Sequence, residues 1–148
     1  MSSASGTIWS ALPAGSLPPD NVEPEVFAAV REIAATLTEH DVVAWCDGEG
    51  GVFVVVDDIE LGAQWTPSVT WLGCRILNAY PEADVYPLFI RSDLKRTDGL
   101  PLAAPFHLGS QFADQAAVMV SRTTPRRTAA TASAVVRIVN TINFLKEN

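Results

Sequence analysis

The stretch from Trp71 to Arg91, WLGCRILNAYPEADVYPLFIR, constrains the fold more than any other, because two Tyr-Pro dipeptides stand between two apolar runs. Residues 69–77 and 85–90 are mostly apolar or β-branched, which suits paired and largely buried strands. Each proline holds its own φ near about −65° and biases the residue before it to extended geometry, so Tyr80 and Tyr86 are pushed out of helix. Neither proline can donate to a sheet ladder. Pro81 therefore belongs in the connection, and Pro87 at a strand start or edge. The reading is a hairpin with a stiff corner.

The other segments complete an α+β pattern. Residues 1–22 are rich in Ser, Ala, Gly and Pro, and predict a flexible tail ahead of one domain over 23–148. Ile8, Trp9 and Leu12 are the tail's only sizeable apolar group; they either dock on the domain or a partner, or stay idle. Pro24 marks a helix start, and Val26, Val30, Ile33, Ala34 and Leu37 predict one buried stripe ending near His40. Residues 42–46 and 52–56 are strands joined by the turn Asp47-Gly48-Glu49-Gly50-Gly51, the second strand being apolar enough for cover on both sides. Asp57-Asp58 reads as a solvated strand end rather than a metal or acid–base pair, since only Glu60 stands nearby. Leu61, Trp65 and Trp71 are expected to seal the sheet against the first helix. Residues 92–111 lack periodicity and read as a long loop. A strand over 116–121 and a helix from about Thr128 to Lys146 follow, the helix burying Ala132, Val135, Val139 and Ile142. The expected fold is α+β: an N-terminal helix, an antiparallel four-stranded meander, a long loop, a short strand and a C-terminal helix.

The net charge of −7 argues against general nucleic-acid affinity. Residues 1–90 hold thirteen acidic and two basic side chains, against four and eight in 91–148. The halves either keep separate faces, which favours a charged protein partner or self-assembly, or mix on one surface. No apolar run is long enough to span a bilayer and the start lacks a secretory pattern, so a soluble, cytoplasmic protein without membrane contact is expected. No phosphate loop, dinucleotide fingerprint or nucleophile elbow is present, and His40 and His107 are too few for a zinc site; neither metal nor cofactor is expected. Cys46 and Cys74 read as buried reduced thiols. Cys74 is a weak candidate nucleophile, because strand alternation turns Arg75 to the other face. Cys46 precedes a turn whose carboxylates oppose a thiolate. Arg122, Arg126 and Arg127 crowd the start of the last helix, where they oppose its dipole. They either grip a carboxylate-bearing partner or pair with the acidic half.

A helix followed by a strand, the corner Tyr80-Pro81 to Tyr86-Pro87 and a further strand resembles the centre of the ubiquitin-conjugating-enzyme fold. Over residues 24–147 the chain is similar to divergent bacterial relatives of that family, whose later strand ends in Ser-Arg-Arg before an Ala-rich helix; here residues 117–123 read Ala-Val-Met-Val-Ser-Arg-Thr. The resemblance fails where that family places its reactive cysteine, after the corner and beyond a His-Pro-Asn signature. This chain has no cysteine after Cys74 and no His-Pro-Asn, and His107 is the only histidine of that segment. The resemblance therefore implies a non-catalytic, UBC-like binding or adaptor protein. Its partner would be a ubiquitin-like protein, an activating enzyme or a deconjugating peptidase. Tyr80, Pro81, Tyr86, His107, Arg122, Arg126 and Arg127 are the residues nominated to meet that partner. Two alternatives stand beside it: an active conjugating enzyme using Cys74, or less favourably Cys46, and a homo-oligomeric scaffold.

Overall fold

Period-two alternation in the apolar runs builds one sheet with two different faces. The computed structural model describes residues 6–19, 21–122 and 133–148. In chain order it forms β1 (Thr7–Ile8), a 3-10 turn (Trp9–Ala11), α1 (Pro24–Thr36), β2 (Val42–Cys46), β3 (Val52–Glu60) and β4 (Trp65–Thr66). There follow β5 (Val69–Ile76), β6 (Leu88–Arg91), β7 (Lys95–Arg96), β8 (Phe106–Phe112), β9 (Gln115–Val120) and α2 (Ala134–Glu147). The seven-stranded sheet runs β1-β2-β3-β5-β6-β9-β8, each pair antiparallel, while β4 and β7 pair separately. The α+β class is as the sequence expects. In place of a four-stranded meander stands a wider sheet, because β1 arises from the stretch read as tail and β8 from the stretch read as loop.

Both helices cover one face. Even positions of β2, β3 and β5 (Val42 and Ala44; Val54 and Val56; Leu72 and Cys74) point into the core with Val26, Val30 and Ile33 of α1 and Ile138 and Leu145 of α2. Each such fully buried aliphatic side chain contributes about 1.5–3 kcal/mol. Pro24 occupies the tolerated first turn of α1, and Ser133 caps α2 by accepting from the Val136 N–H at 3.4 Å. The stripe of α2 is shifted from the expected one. Ala134, Arg137, Ile138, Thr141, Ile142 and Leu145 are buried, whereas Val135 and Val139 are half-buried and Ala132 lies outside the described residues. Apolar periodicity misses this phase because two polar residues, Arg137 and Thr141, belong to the stripe.

Asp57-Asp58 does not end β3. The register steps from Val56↔Leu72 to Ile59↔Thr70, so an extra residue bulges there, with Asp58 at φ 56°, a conformation aspartate tolerates better than most. Burial, then the neighbouring Asp58 charge, push the Asp57 carboxyl above its ordinary range. Residues 92–111 are likewise not one loop: Lys95–Arg96 pairs with Trp65–Thr66, and β8 pairs with β9 across a bulge between His107 and Ser110. That edge strand is polar and glycine-bearing, so it shows no alternation. Trp65 is buried in the core that both helices share and is tied to α2, donating from Nε1 to the Leu145 carbonyl oxygen at 2.8 Å. Trp71 lies on the opposite face.

The Tyr-Pro corner, both of whose Tyr-Pro bonds are cis, is the seat of α2. Tyr80 Oη accepts from the Ala134 N–H at 3.1 Å. Arg137 donates from Nε to the Val85 carbonyl at 3.3 Å and from Nη2 to the Arg122 carbonyl at 2.6 Å, with the Asp84 carboxylate 3.6 Å from Nε. A buried guanidinium thus ties the corner, the end of β9 and the last helix together.

Candidate functional site

The uncovered face of the sheet is built from the odd positions of β2, β3, β5 and β6. A sheet packed on one side alone usually turns polar residues outward. Here those positions carry Trp45, Phe53, Trp71 and Phe89, all half-buried, around a fully buried Phe112. Phe112 reaches the centre because the β8–β9 hairpin closes on Ala113 and Asp114, at φ 49° and 68°, the pair of positive φ values that a tight two-residue turn requires. Its ring centroid stands 5.2 Å from Phe89, 5.7 Å from Phe53, 5.9 Å from Trp71 and 6.5 Å from Trp45. Beneath it is Gly73, where a Cβ would come within 2.7 Å of the ring. Glycine is required here by close approach, not by backbone conformation.

Beside this cluster runs a shallow groove of about 300 Å³ whose walls include Phe53, Arg75, Tyr86, Phe89 and Phe112. Arg75 edges it, its guanidinium carbon 5.3 Å from the centroid of Phe53. It donates from Nε to Asp47 Oδ2 at 3.0 Å and from Nη2 to Glu49 Oε2 at 2.9 Å. The hydrogen bond to Asp47 above all, outweighing partial burial, holds its pKa above the ordinary arginine range. Asp47 in turn accepts from the N–H groups of Glu49 and Gly51 at 2.7 and 3.0 Å, so the β2–β3 turn fixes Arg75. The outer face is thus a set of half-buried aromatic rings with one locked cation at its rim.

The nominated residues do not converge. Tyr86 lies on the groove wall, its hydroxyl in contact with Ser121 Oγ. Tyr80 is spent on the start of α2, and Pro81 is exposed on the corner beside it. Arg122 lies over the Phe144 ring at 4.2 Å and donates to the Asn140 carbonyl at 3.4 Å. Burial, then the Arg137 charge, push its pKa below the ordinary range. Arg126 and Arg127 lie outside the described residues. His107 is exposed on the edge strand, aligned through Met119 with Phe89 across the outer face. Sequence reasoning missed Phe112, Gly73, Trp45, Phe53 and Phe89 as one surface. Their signal was an aromatic residue at an outward position on each of four neighbouring strands, β2, β3, β5 and β6.

Of the two thiols, Cys46 is exposed, not buried as expected: it is the last residue of β2, where the strand runs out into the β2–β3 turn. Cys74 is fully buried, and that burial pushes its thiol up to about 12. Among the described residues no group of three or more His, Cys, Asp or Glu side chains is placed to hold a metal ion, and no helix is long and apolar enough to cross a membrane. Comparison of the chain with protein-family models, with curated proteins and with solved structures finds no match.

Proposed function

We propose that this protein is a non-catalytic binding domain whose outer aromatic face takes an apolar, extended segment of a protein partner. The observation that carries this is the ring of four half-buried aromatics around Phe112 on a face that neither helix covers. A groove of about 300 Å³ is at the low end for small-molecule sites and suits a few apolar side chains of a larger partner. Arg75 already holds two carboxylates of its own chain, which favours an apolar over an acidic partner. Binding would gain from covering the rings, with Tyr86 and Arg75 setting the ends of the contact.

The non-catalytic part of this reading is supported by the burial of Cys74, since a thiol held near 12 is protonated at neutral pH and out of reach of any thioester. Cys46 is accessible, but it stands at a strand end with no histidine placed beside it by any observed contact. The partner classes implied by the Tyr-Pro corner, a ubiquitin-like protein, an activating enzyme or a deconjugating peptidase, are the finer form of the proposal, carried by the corner residues alone.

Titration of the protein with an octapeptide alternating valine and threonine, against one alternating serine and threonine, tests the reading. Trp45 and Trp71 report through their emission. Only the valine peptide is expected to shift it, and Phe89→Ser is expected to weaken binding by about tenfold or more. Equal responses to the two peptides, or none at millimolar concentration, would refute the aromatic face as the site.

A further inference from the structure

A recess between β7 and β8 is built from residues that the aromatic face does not use. The turn after β7 is pinned from several sides. The Thr97 N–H donates to the Gln64 carbonyl at 3.0 Å, and the Thr97 hydroxyl to the Ala63 carbonyl at 3.0 Å. Asp98 Oδ1 accepts from the Leu100 N–H at 2.9 Å, and Gly99, at φ 79°, donates its N–H to the Arg96 carbonyl at 3.2 Å. The recess beside this turn measures about 360 Å³. Leu94, 2% exposed, and Leu102 line it from the core side. Leu100 and Leu108, 63% and 65% exposed, line it from the solvent side. Leu100 is kept there by the pinned turn, and Leu108 lies within the bulge of β8 between His107 and Ser110, beside Gly109 at φ 78°. Two leucines held in water by their backbones leave apolar area that a ligand's burial would cover.

The polar lining is cationic, from Lys95 and Arg96. Neighbouring carboxylates are already engaged. Arg91 donates to both oxygens of Asp93 at 2.6 and 3.1 Å. Asp98 lies 3.5 Å from Arg96, whose guanidinium carbon also stands 5.1 Å from the Trp65 ring centroid. The exposed Lys95 ammonium makes no hydrogen bond or ion pair among the described residues. A chain of net charge −7 thus places an uncommitted cation at an apolar recess. A carboxylate carrying an alkyl chain complements both features. An extended peptide suits the place less well, because the bulge interrupts the ladder that strand addition on β8 would use. The volume is at the low end for small-molecule sites.

We propose that this recess binds a small anionic amphiphile, an alkyl carboxylate of medium chain length. Its chain lies on Leu94, Leu100, Leu102 and Leu108, and its carboxylate meets Lys95. The site shares no residue with the aromatic face, so the failure of either proposal leaves the other standing.

The test is titration of the full chain with octanoate, followed through the leucine methyl signals. Octanoate is expected to shift the methyls of Leu94, Leu100, Leu102 and Leu108 with a Kd of about 1 mM or below. Hexanoate should bind about fourfold or more weakly, since two methylenes fewer are covered. Octanol should bind about two- to fivefold more weakly than octanoate, and Lys95→Met should remove that difference while leaving octanol unchanged. Leu108→Asn and Leu100→Asn, both at exposed positions, should weaken octanoate and octanol alike. No shift of these methyls at millimolar octanoate, equal binding of octanoate and octyltrimethylammonium, or indifference to Lys95→Met would overturn the proposal. So would an acetylated and amidated peptide alternating leucine and threonine that displaces octanoate and binds more tightly, which would assign the recess to a protein segment.

Discussion

Gly73→Ala offers a test whose sign depends on one neighbour. The added methyl would stand 2.7 Å from Cε2 of Phe112 and 3.0 Å from Cδ2 and Cζ. Carbon atoms in contact prefer about 3.5–4.0 Å, so the ring must lift by about 1 Å. It has little room to do so, since four aromatic rings stand within 6.5 Å of its centroid. Overpacking of this kind costs about 1–3 kcal/mol, against which the alanine returns about 0.4–1 kcal/mol by restricting the unfolded chain. The net expectation is a loss of about 1–2 kcal/mol, or roughly 2–8 °C in Tm for a chain of this size. With Phe112→Ala in place the clash disappears, and the same Gly73→Ala change should stabilise by about 0.4–1 kcal/mol. Urea denaturation of the four proteins, followed by circular dichroism, gives the coupling directly. A neutral Gly73→Ala, or one equally destabilising with and without Phe112, would refute the packing of the hairpin on the sheet.

Three further outcomes follow from the buried groups. Arg137→Leu removes the donor to the Val85 and Arg122 carbonyls and the cation facing Asp84, and should cost about 3–5 kcal/mol in urea unfolding; a loss under about 1 kcal/mol would contradict its role in seating α2. An aromatic disulfide reagent at pH 8 should titrate Cys46 alone in the folded protein and both thiols in denaturant, and stability should decline as pH rises above about 9, where only the unfolded Cys74 ionises. Asp57 has a raised folded pKa, so its charge opposes folding at neutral pH. Asp57→Asn should therefore stabilise at pH 7, and its benefit should vanish on acidification as the aspartate is protonated in both states; a benefit that grows in acid would reverse the assignment.

The sequence was most legible where one physical pattern ruled a segment. The stripe of α1 at Val26, Val30 and Ile33 is buried as its spacing requires, and the Tyr-Pro stretch does join two antiparallel neighbours, β5 and β6. Legibility failed where a tertiary contact overrode local signals. Phe106–Phe112 has glycine, serine and histidine in place of alternation, and becomes a strand only because β9 offers it an edge. Trp9 sits in a stretch of turn residues and is buried only because Phe27 and Arg31 stand on a helix formed later in the chain. The outer face was hidden for a related reason. The run 52–56 shows that both sides of β3 are apolar, but which side receives helices and which receives one phenylalanine depends on the β8–β9 hairpin. Arg137 gave no signal at all, since a lone arginine in an amphipathic helix normally faces solvent.

The most direct measurement is chemical-shift mapping of the full chain during titration with the valine–threonine octapeptide. Shifts confined to Trp45, Phe53, Trp71, Phe89 and the Phe112 hairpin are the expected result, and would place the partner on the outer face. Shifts that instead centre on the exposed side chains of Leu100 and Leu108, or on Trp9, with the aromatic face unmoved, would contradict the assignment of that face as the binding surface.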